Sequence, residues 1–297
     1  MGYPDLSPAE LRQRAEKAVA MLGDCMVCAQ ECHVNRLAGE RGFCRGGRLA
    51  AVSSWGPHFG EESVLVGRRG SGTIFFANCN LACRFCQNCD ISQYGEGEEV
   101  SAGELAKVML EVQEMGCHNV NLVSPSHYVP QILEALVTAA ENGLKIPLVY
   151  NTGGYDALGT LALLDGVVDI YMPDIKYGDD GMGAKYSRAP RYFTVAKAAV
   201  KEMHRQVGDL QINEKGVATR GLLIRHLVMP GNLARTEAVM KFIAEEISPD
   251  TFVNIMDQYY PAHEARKYPE LSRRITREEY REAVRIARAA GLRRIYP

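Results

Sequence analysis

From residue 73 onward, short apolar runs alternate with longer stretches in which apolar residues return every three or four positions. The runs lie at 73–77, 119–124, 147–150, 168–172, 222–228 and 251–256, and they are rich in β-branched side chains. Unbroken apolar character fits strands buried on both faces of a parallel sheet. The periodic stretches predict helices at about 102–115, 129–142, 156–164, 190–206, 235–247 and 277–290. Ser101 with Glu104, and Thr276 with Glu279, have capping-box spacing. Gly116, Gly143 and Gly291 fall where helices should end. Such a βα series forms either an open doubly wound sheet or a partial barrel, and both place chemistry at the C-terminal ends of the strands. The fold class read here is α/β, with a partial (β/α)6 barrel of the TIM type and a Cys-rich N-terminal extension.

Upstream the pattern changes. Ser7-Pro8-Ala9-Glu10 reads as a capped helix start, with the helix running to about Leu22. Residues 25–47 are rich in Cys and Gly and read as a loop folded around something, whereas 48–71 look irregular. The expected division is therefore 1–71 and 72–297. A small hairpin is expected over 209–220, around "NEKG".

Composition narrows the function classes. Hydrophobic content of 46% supports a sizeable core, and a net charge of −2 gives no reason to expect nucleic acid or an anionic membrane. Eight arginines between Arg273 and Arg294 share a helix with Glu278, Glu279 and Glu282, which reads as a solvated face with internal ion pairs. No apolar run reaches the roughly 18 residues of a membrane span. The opening "MGYPDLSPAELRQRAEKA" is polar and has no secretory character. A cytoplasmic location is expected, where structural disulfides are rare. Nine cysteines, an odd number, then point to metal or catalysis.

Polar residues and glycines gather after the strands, in "LVSPSHY", "VYNTGGY", "YMPDIKY", "IRHLVMPG" and "NIMDQYY". After the first strand comes Cys79-x3-Cys83-x2-Cys86. A closed zinc site takes four ligands, and so does a cubane that only transfers electrons. Three thiolates leave one iron open, whereas Cys89 as a fourth would close the site and make an electron-transfer or metal-binding protein. A second set, Cys25-x2-Cys28-x3-Cys32-x11-Cys44, suits a closed structural centre, with zinc or an auxiliary [4Fe–4S] cluster both open. Cys117 reads as an inert core thiol. His58, Glu61 and Glu62 precede the first strand and stand either at the mouth of the site or on a solvated turn. His127 and His226 read as satisfied core histidines, while Tyr128 and Tyr259 lie at strand ends.

The stretch "GSGTIFFANCNLACRFCQN" resembles homologues of the pyruvate formate-lyase activating enzyme, a branch of the radical S-adenosylmethionine (SAM) superfamily. "YNTGGYD", "PDIKY", "IRHLVMPG" and "NIMDQYYPA" follow in that branch's order, so the resemblance covers about residues 20–292. It implies that Cys79, Cys83 and Cys86 ligate a [4Fe–4S] cluster whose fourth iron chelates SAM. It implies reductive cleavage of SAM to methionine and a 5′-deoxyadenosyl radical that abstracts hydrogen. Phe85 is implied near the adenine. The branch's Gly-Gly-Glu after the second strand is replaced by Val123-Ser124-Pro125-Ser126, which makes Ser124 and Ser126 the implied contacts. Asn151 and Thr152 stand where the branch has Asp-Thr, and Asp174 and Lys176 match its Asp-x-Lys. Asn151 removes one negative charge from the place where the branch binds a monovalent cation. Implied partners are a one-electron donor such as flavodoxin or ferredoxin and a protein substrate, with a glycyl-radical enzyme as one candidate.

Overall fold

The structure is a computed structural model that describes residues 2–296. The ten strands among the described residues are β1 (Ala50–His58), β2 (Ser71–Phe76), β3 (Glu98–Val100), β4 (Val120–Val123), β5 (Leu148–Thr152), β6 (Ile170–Pro173), β7 (Gln211–Ile212), β8 (Ala218–Leu227), β9 (Phe252–Met256) and β10 (Arg294–Tyr296). They join in the order β10-β9-β8-β6-β5-β4-β2-β1-β3, with β7 paired to β8 alone. From β2 through β10 every pairing along this order is parallel, while β1 runs antiparallel to both of its neighbours. The chain forms a partial TIM-type barrel that does not close. The six apolar runs are β2, β4, β5, β6, β8 and β9, and β4, β5 and β6 have mostly or wholly buried residues, as strands covered on both sides must.

The helices are α1 (Pro8–Ala20), α2 (Ser63–Val66), α3 (Cys89–Ser92), α4 (Ala102–Glu114), α5 (Val129–Glu141), α6 (Leu158–Leu163), α7 (Asp180–Ser187), α8 (Tyr192–Val207), α9 (Thr236–Phe242) and α10 (Arg277–Ala289). Both halves of the capping boxes form on α4 and α10. The Ser7 hydroxyl accepts from the Glu10 amide at 3.2 Å to start α1. A π-helical turn, Ile243–Ile247, extends α9. Ion pairs form along this segment as expected: Arg273, ahead of α10, with Glu279, and Arg285 on α10 with Glu282. Among the described residues no helix is long and apolar enough to cross a membrane.

One expectation needs correction. Residues 48–71 are not irregular, because they hold β1 and α2. β1 carries Gly56, Pro57 and exposed polar positions, and its register slips between Val52 and Ser54, so no apolar run marks it. α7 was also unmarked: "DGMGAKYS" has two glycines and little apolar periodicity, and it depends on the Asp179 side chain, which caps the Met182 amide at 2.8 Å.

Candidate active site

The loop after β2 turns at Asn78, whose φ of 67° is unusual for a residue with a side chain. It carries Cys79, Cys83 and Cys86 into the open end of the barrel. Two backbone bonds strap the loop to the end of α7: the Ala82 amide donates to the Ser187 carbonyl at 2.9 Å, and Arg84 donates to Tyr186 at 2.8 Å. Side chains then reach the sulfurs. The Ser187 hydroxyl donates to Cys83 Sγ at 3.0 Å, Ser92 Oγ lies 3.0 Å from Cys86 Sγ, and the Leu81 amide donates to Cys79 Sγ at 3.4 Å. Burial pushes the Cys79 thiol up to about 12 and the Cys83 thiol to about 11. Thiols this hard to ionise become thiolates when a metal takes the place of the proton.

Opposite the loop, the strand ends bring charges together. Asp174, just past β6, accepts from Lys176 Nζ and from Arg225 Nε, the latter at 2.8 Å. Arg225, on β8, also donates to Asn151 Oδ1 at 2.8 Å and reaches Glu61 at 3.4 Å. Burial alone would raise the Asp174 carboxyl, but the Arg225 and Lys176 cations outweigh it and hold it below the usual range. Burial raises Glu61 despite Arg225 beside it. Glu62 accepts from Asn254 Nδ2 at 2.8 Å, and its other oxygen is buried without a protein partner. The turn after β5 must come close for this to work. Gly154 has φ 77°, and a Cβ there would sit 2.4 Å from the Asp174 carbonyl, so only glycine fits.

Between loop and strand ends lies a cavity of about 330 Å³. Cys83, Phe85, Cys86, Asn151, Asp174, Lys176 and Arg225 all line it, as do His58 and Glu61. Phe85 packs edge-on to Tyr177 and against Tyr259. Ser124 and Thr152 do not line it. The Thr152 hydroxyl is 2.9 Å from Ser126 Oγ and donates to Asp156 at 2.7 Å. Ser124 sits at φ 58°, with its amide bonded to the Asn151 carbonyl at 2.9 Å. Cys89 opens α3, half-exposed and not itself in the lining, although Asn88 before it is. His226 is a satisfied core residue, bonded to the Ile175 carbonyl at 2.7 Å and to Thr236 at 3.0 Å. Tyr259 gives its hydroxyl to the Leu271 carbonyl, and Tyr128 Oη accepts from Asn78. The sulfur contacts of Ser92 and Ser187 and the bridging role of Arg225 leave no mark in the sequence. Ser187 lies in the unmarked α7, and nothing in the spacing of Arg225 signals three polar partners.

The donor set also bears on the kind of metal. Sulfurs sharing one tetrahedral zinc, with Zn–S near 2.3 Å, stand about 3.8 Å apart. Among the described residues no three His, Cys, Asp or Glu side chains converge in that way. Thiolates that each bind a separate iron of a cluster stand farther apart.

Fold and rim together define an unclosed (β/α) barrel with a cysteine-lined, charged cavity at its strand ends. The family model of the radical SAM superfamily matches residues 73–243, and the chain belongs to that superfamily. An uncharacterized protein of Methanocaldococcus jannaschii is 35% identical over 299 residues, covering 98% of this chain and 82% of that one. A radical SAM methyltransferase from Sphaerobacter thermophilus has a similar fold, with TM-score 0.51 at 15% identity over 75% of this chain and 65% of its own. Streptococcus suis SuiB, solved with its precursor peptide SuiA, gives TM-score 0.50 at 12% identity over 73% of this chain and 46% of its own. The chain thus spans less than two thirds of either solved structure, and the likeness to them is one of fold. Membership of the superfamily brings an iron–sulfur cluster and SAM as cofactors.

Proposed function

We propose that Cys79, Cys83 and Cys86 hold the [4Fe–4S] cluster, and that the chain uses SAM to abstract hydrogen from a protein or peptide, in the manner of the pyruvate formate-lyase activating branch. A glycyl-radical enzyme is the first candidate substrate. The carrying observation is the single cavity that joins Cys83, Cys86 and Phe85 to Asn151, Asp174, Lys176 and Arg225. Bound there, the cluster would supply the electron that splits the sulfonium of SAM, with a ferredoxin or flavodoxin as the outside donor.

The residues of the chain do the rest. Lys176 and Asp174 offer paired charges to an amino-acid zwitterion. Phe85 gives an apolar, aromatic wall for a nucleobase. Arg225 fixes Asp174 and Asn151 across three strands and puts a guanidinium where the branch would place a metal cation. Ser92 and Ser187 donate to sulfur, which stabilises negative charge on the cluster. A cavity of about 330 Å³ leaves little room beside a nucleoside-sized ligand, so a substrate meets the site at its rim. Phe59, next to the lining residue His58, and Tyr260, two positions past the lining residue Gln258, are exposed aromatics that suit a macromolecular partner.

The test is anaerobic reconstitution with iron and sulfide, then dithionite and SAM, with 5′-deoxyadenosine and methionine as expected products. An intact cluster that forms neither would refute SAM chemistry. Adding a candidate glycyl-radical enzyme should give a glycyl radical signal by electron paramagnetic resonance (EPR); deoxyadenosine without that signal would exclude that candidate alone.

A further inference from the structure

The N-terminal cysteines form a second centre outside the cavity. The Cys25 amide donates to the Val34 carbonyl at 3.0 Å, and the His33 amide returns a bond to Cys25 at 3.1 Å, which sets Cys25 beside Cys32. The Phe43 amide donates to Cys32 Sγ at 3.3 Å and brings Cys44 to the same place. Gly42 crosses so closely that a Cβ there would stand 2.8 Å from Cys32 Sγ. The Glu31 amide donates to the Cys28 carbonyl at 3.1 Å, a tight turn that brings Cys28 round toward neighbouring Cys32. All four thiols are free; Cys25, Cys28 and Cys44 are buried and Cys32 half-buried.

Arg36 supplies an independent observation. Its side chain is buried to 1% exposure and points into this lobe. It donates to the Gly47 carbonyl at 2.7 and 3.0 Å and to the His127 carbonyl at 2.8 Å, and it reaches Cys25 Sγ at 3.9 Å. Among the described residues no carboxylate pairs with it. A buried cation requires a counter-charge. Four metal-bound thiolates provide one.

The lobe also sits directly behind the cluster loop, linked near each of its three cysteines. Gln30, two residues after Cys28, donates to the carbonyl of Asn80, next to Cys79, at 2.9 Å. Phe43, before Cys44, lies under the Arg188 guanidinium at 5.7 Å, and neighbouring Ser187 bonds Cys83. Arg45, after Cys44, donates to the carbonyl of Ser92 at 3.3 Å, and Ser92 contacts Cys86.

We infer that Cys25, Cys28, Cys32 and Cys44 hold a second iron–sulfur cluster, fully ligated by protein, back to back with the loop of Cys79, Cys83 and Cys86. An iron–sulfur cluster, which can carry an electron where zinc cannot, suits a lobe linked to that loop near each of its three cysteines. The inference does not depend on the substrate of the cavity or on SAM turnover.

Reconstitution of a Cys79→Ser, Cys83→Ser, Cys86→Ser chain tests it. About four irons and four sulfides should remain per chain, as expected for one cubane. Four-thiolate ligation leaves no open iron, so SAM should not change the EPR signal of that cluster. A chain carrying Cys25→Ser and Cys28→Ser should instead keep a cluster whose signal SAM does change. Stoichiometric zinc without iron, or no metal at all in a folded triple variant, would overturn the inference. Should the triple variant not fold, the unsubstituted chain decides: about eight irons support a second cubane, and about four irons, all responsive to SAM, refute it.

Discussion

Replacing Arg225 with Met removes the group that ties together β5, β6, β8 and the segment before α2. Its guanidinium stands 2.8 Å from both Asp174 and Asn151, 3.4 Å from Glu61 and 3.9 Å from Glu62. Three carboxylates, Asp174, Glu61 and Glu62, share two cations, Arg225 and Lys176; after substitution they share one. The side chains of Arg225, Asp174, Glu61 and Glu62 are 16%, 14%, 8% and 4% exposed, so water screens them poorly. A unit pair about 4 Å apart is worth roughly 4 kcal/mol at an effective dielectric near 20. Desolvation offsets much of that in the intact network, but removing one partner leaves the desolvation of the others uncompensated, at about 3–5 kcal/mol. That is a large part of the roughly 5–15 kcal/mol that stabilises a typical domain. Urea unfolding of the metal-free chain, followed by circular dichroism, should show this loss as a lower midpoint. Glu61→Gln in the Arg225→Met background should recover part of it, because one stranded carboxylate is gone. A loss below about 1 kcal/mol, the value of an exposed pair, would refute the reasoning. So would a second substitution that recovers nothing.

Ser187→Ala deletes the donor to Cys83 Sγ and strands the Tyr177 hydroxyl, which lies 2.9 Å from Ser187 Oγ. The cluster midpoint potential should fall in an EPR-monitored redox titration, and an unchanged potential would separate Ser187 from the cluster. Burial holds His226 neutral down to about pH 4, well below its ordinary range. Between that value and roughly 6.5 the unfolded chain binds a proton that the folded chain does not, so this histidine makes stability drop as pH falls through the window. From pH 7 to 5 the contribution is about 2 kcal/mol. Stability of a His226→Gln chain should therefore decline less than that of the parent by about this amount, and parallel urea midpoints would contradict it. Cys89→Ala should leave the iron content of the inner site unchanged, since the proposed cluster takes its three protein ligands from Cys79, Cys83 and Cys86; lost iron would favour a four-ligand cluster without an open position.

The parallel strands were legible because burial on both faces demands unbroken apolar runs. β1 was not, because an antiparallel strand with one wet face and a bulge tolerates Gly56, Pro57 and polar side chains. The cysteine loop was legible as a spacing of ligands on a short turn, Asp174 and Lys176 as charges placed after an apolar strand, and Asn151 only through the family resemblance. Thr152 follows Asn151 on the strand, and successive side chains point to opposite faces. Asn151 enters the cavity while Thr152 bonds Ser126 and Asp156. Ser187 and Arg225 act through contacts across more than fifty positions of chain, which local pattern does not encode. The N-terminal lobe shows the same limit: its four cysteines stand out, but the pairing of Arg36 with that lobe is visible only once the chain has folded.

An unclosed barrel has two free edges, and each could pair with an edge of another molecule. Here both edge strands, β3 and β10, are three residues long. β3 also presents exposed Glu98 and Glu99, and Arg294 of β10 turns its guanidinium onto the Leu210 carbonyl at 2.7 Å. Short, charged edges make poor templates for a foreign strand. The sheet can therefore keep a lateral gap in its wall with little risk of fibre-like association.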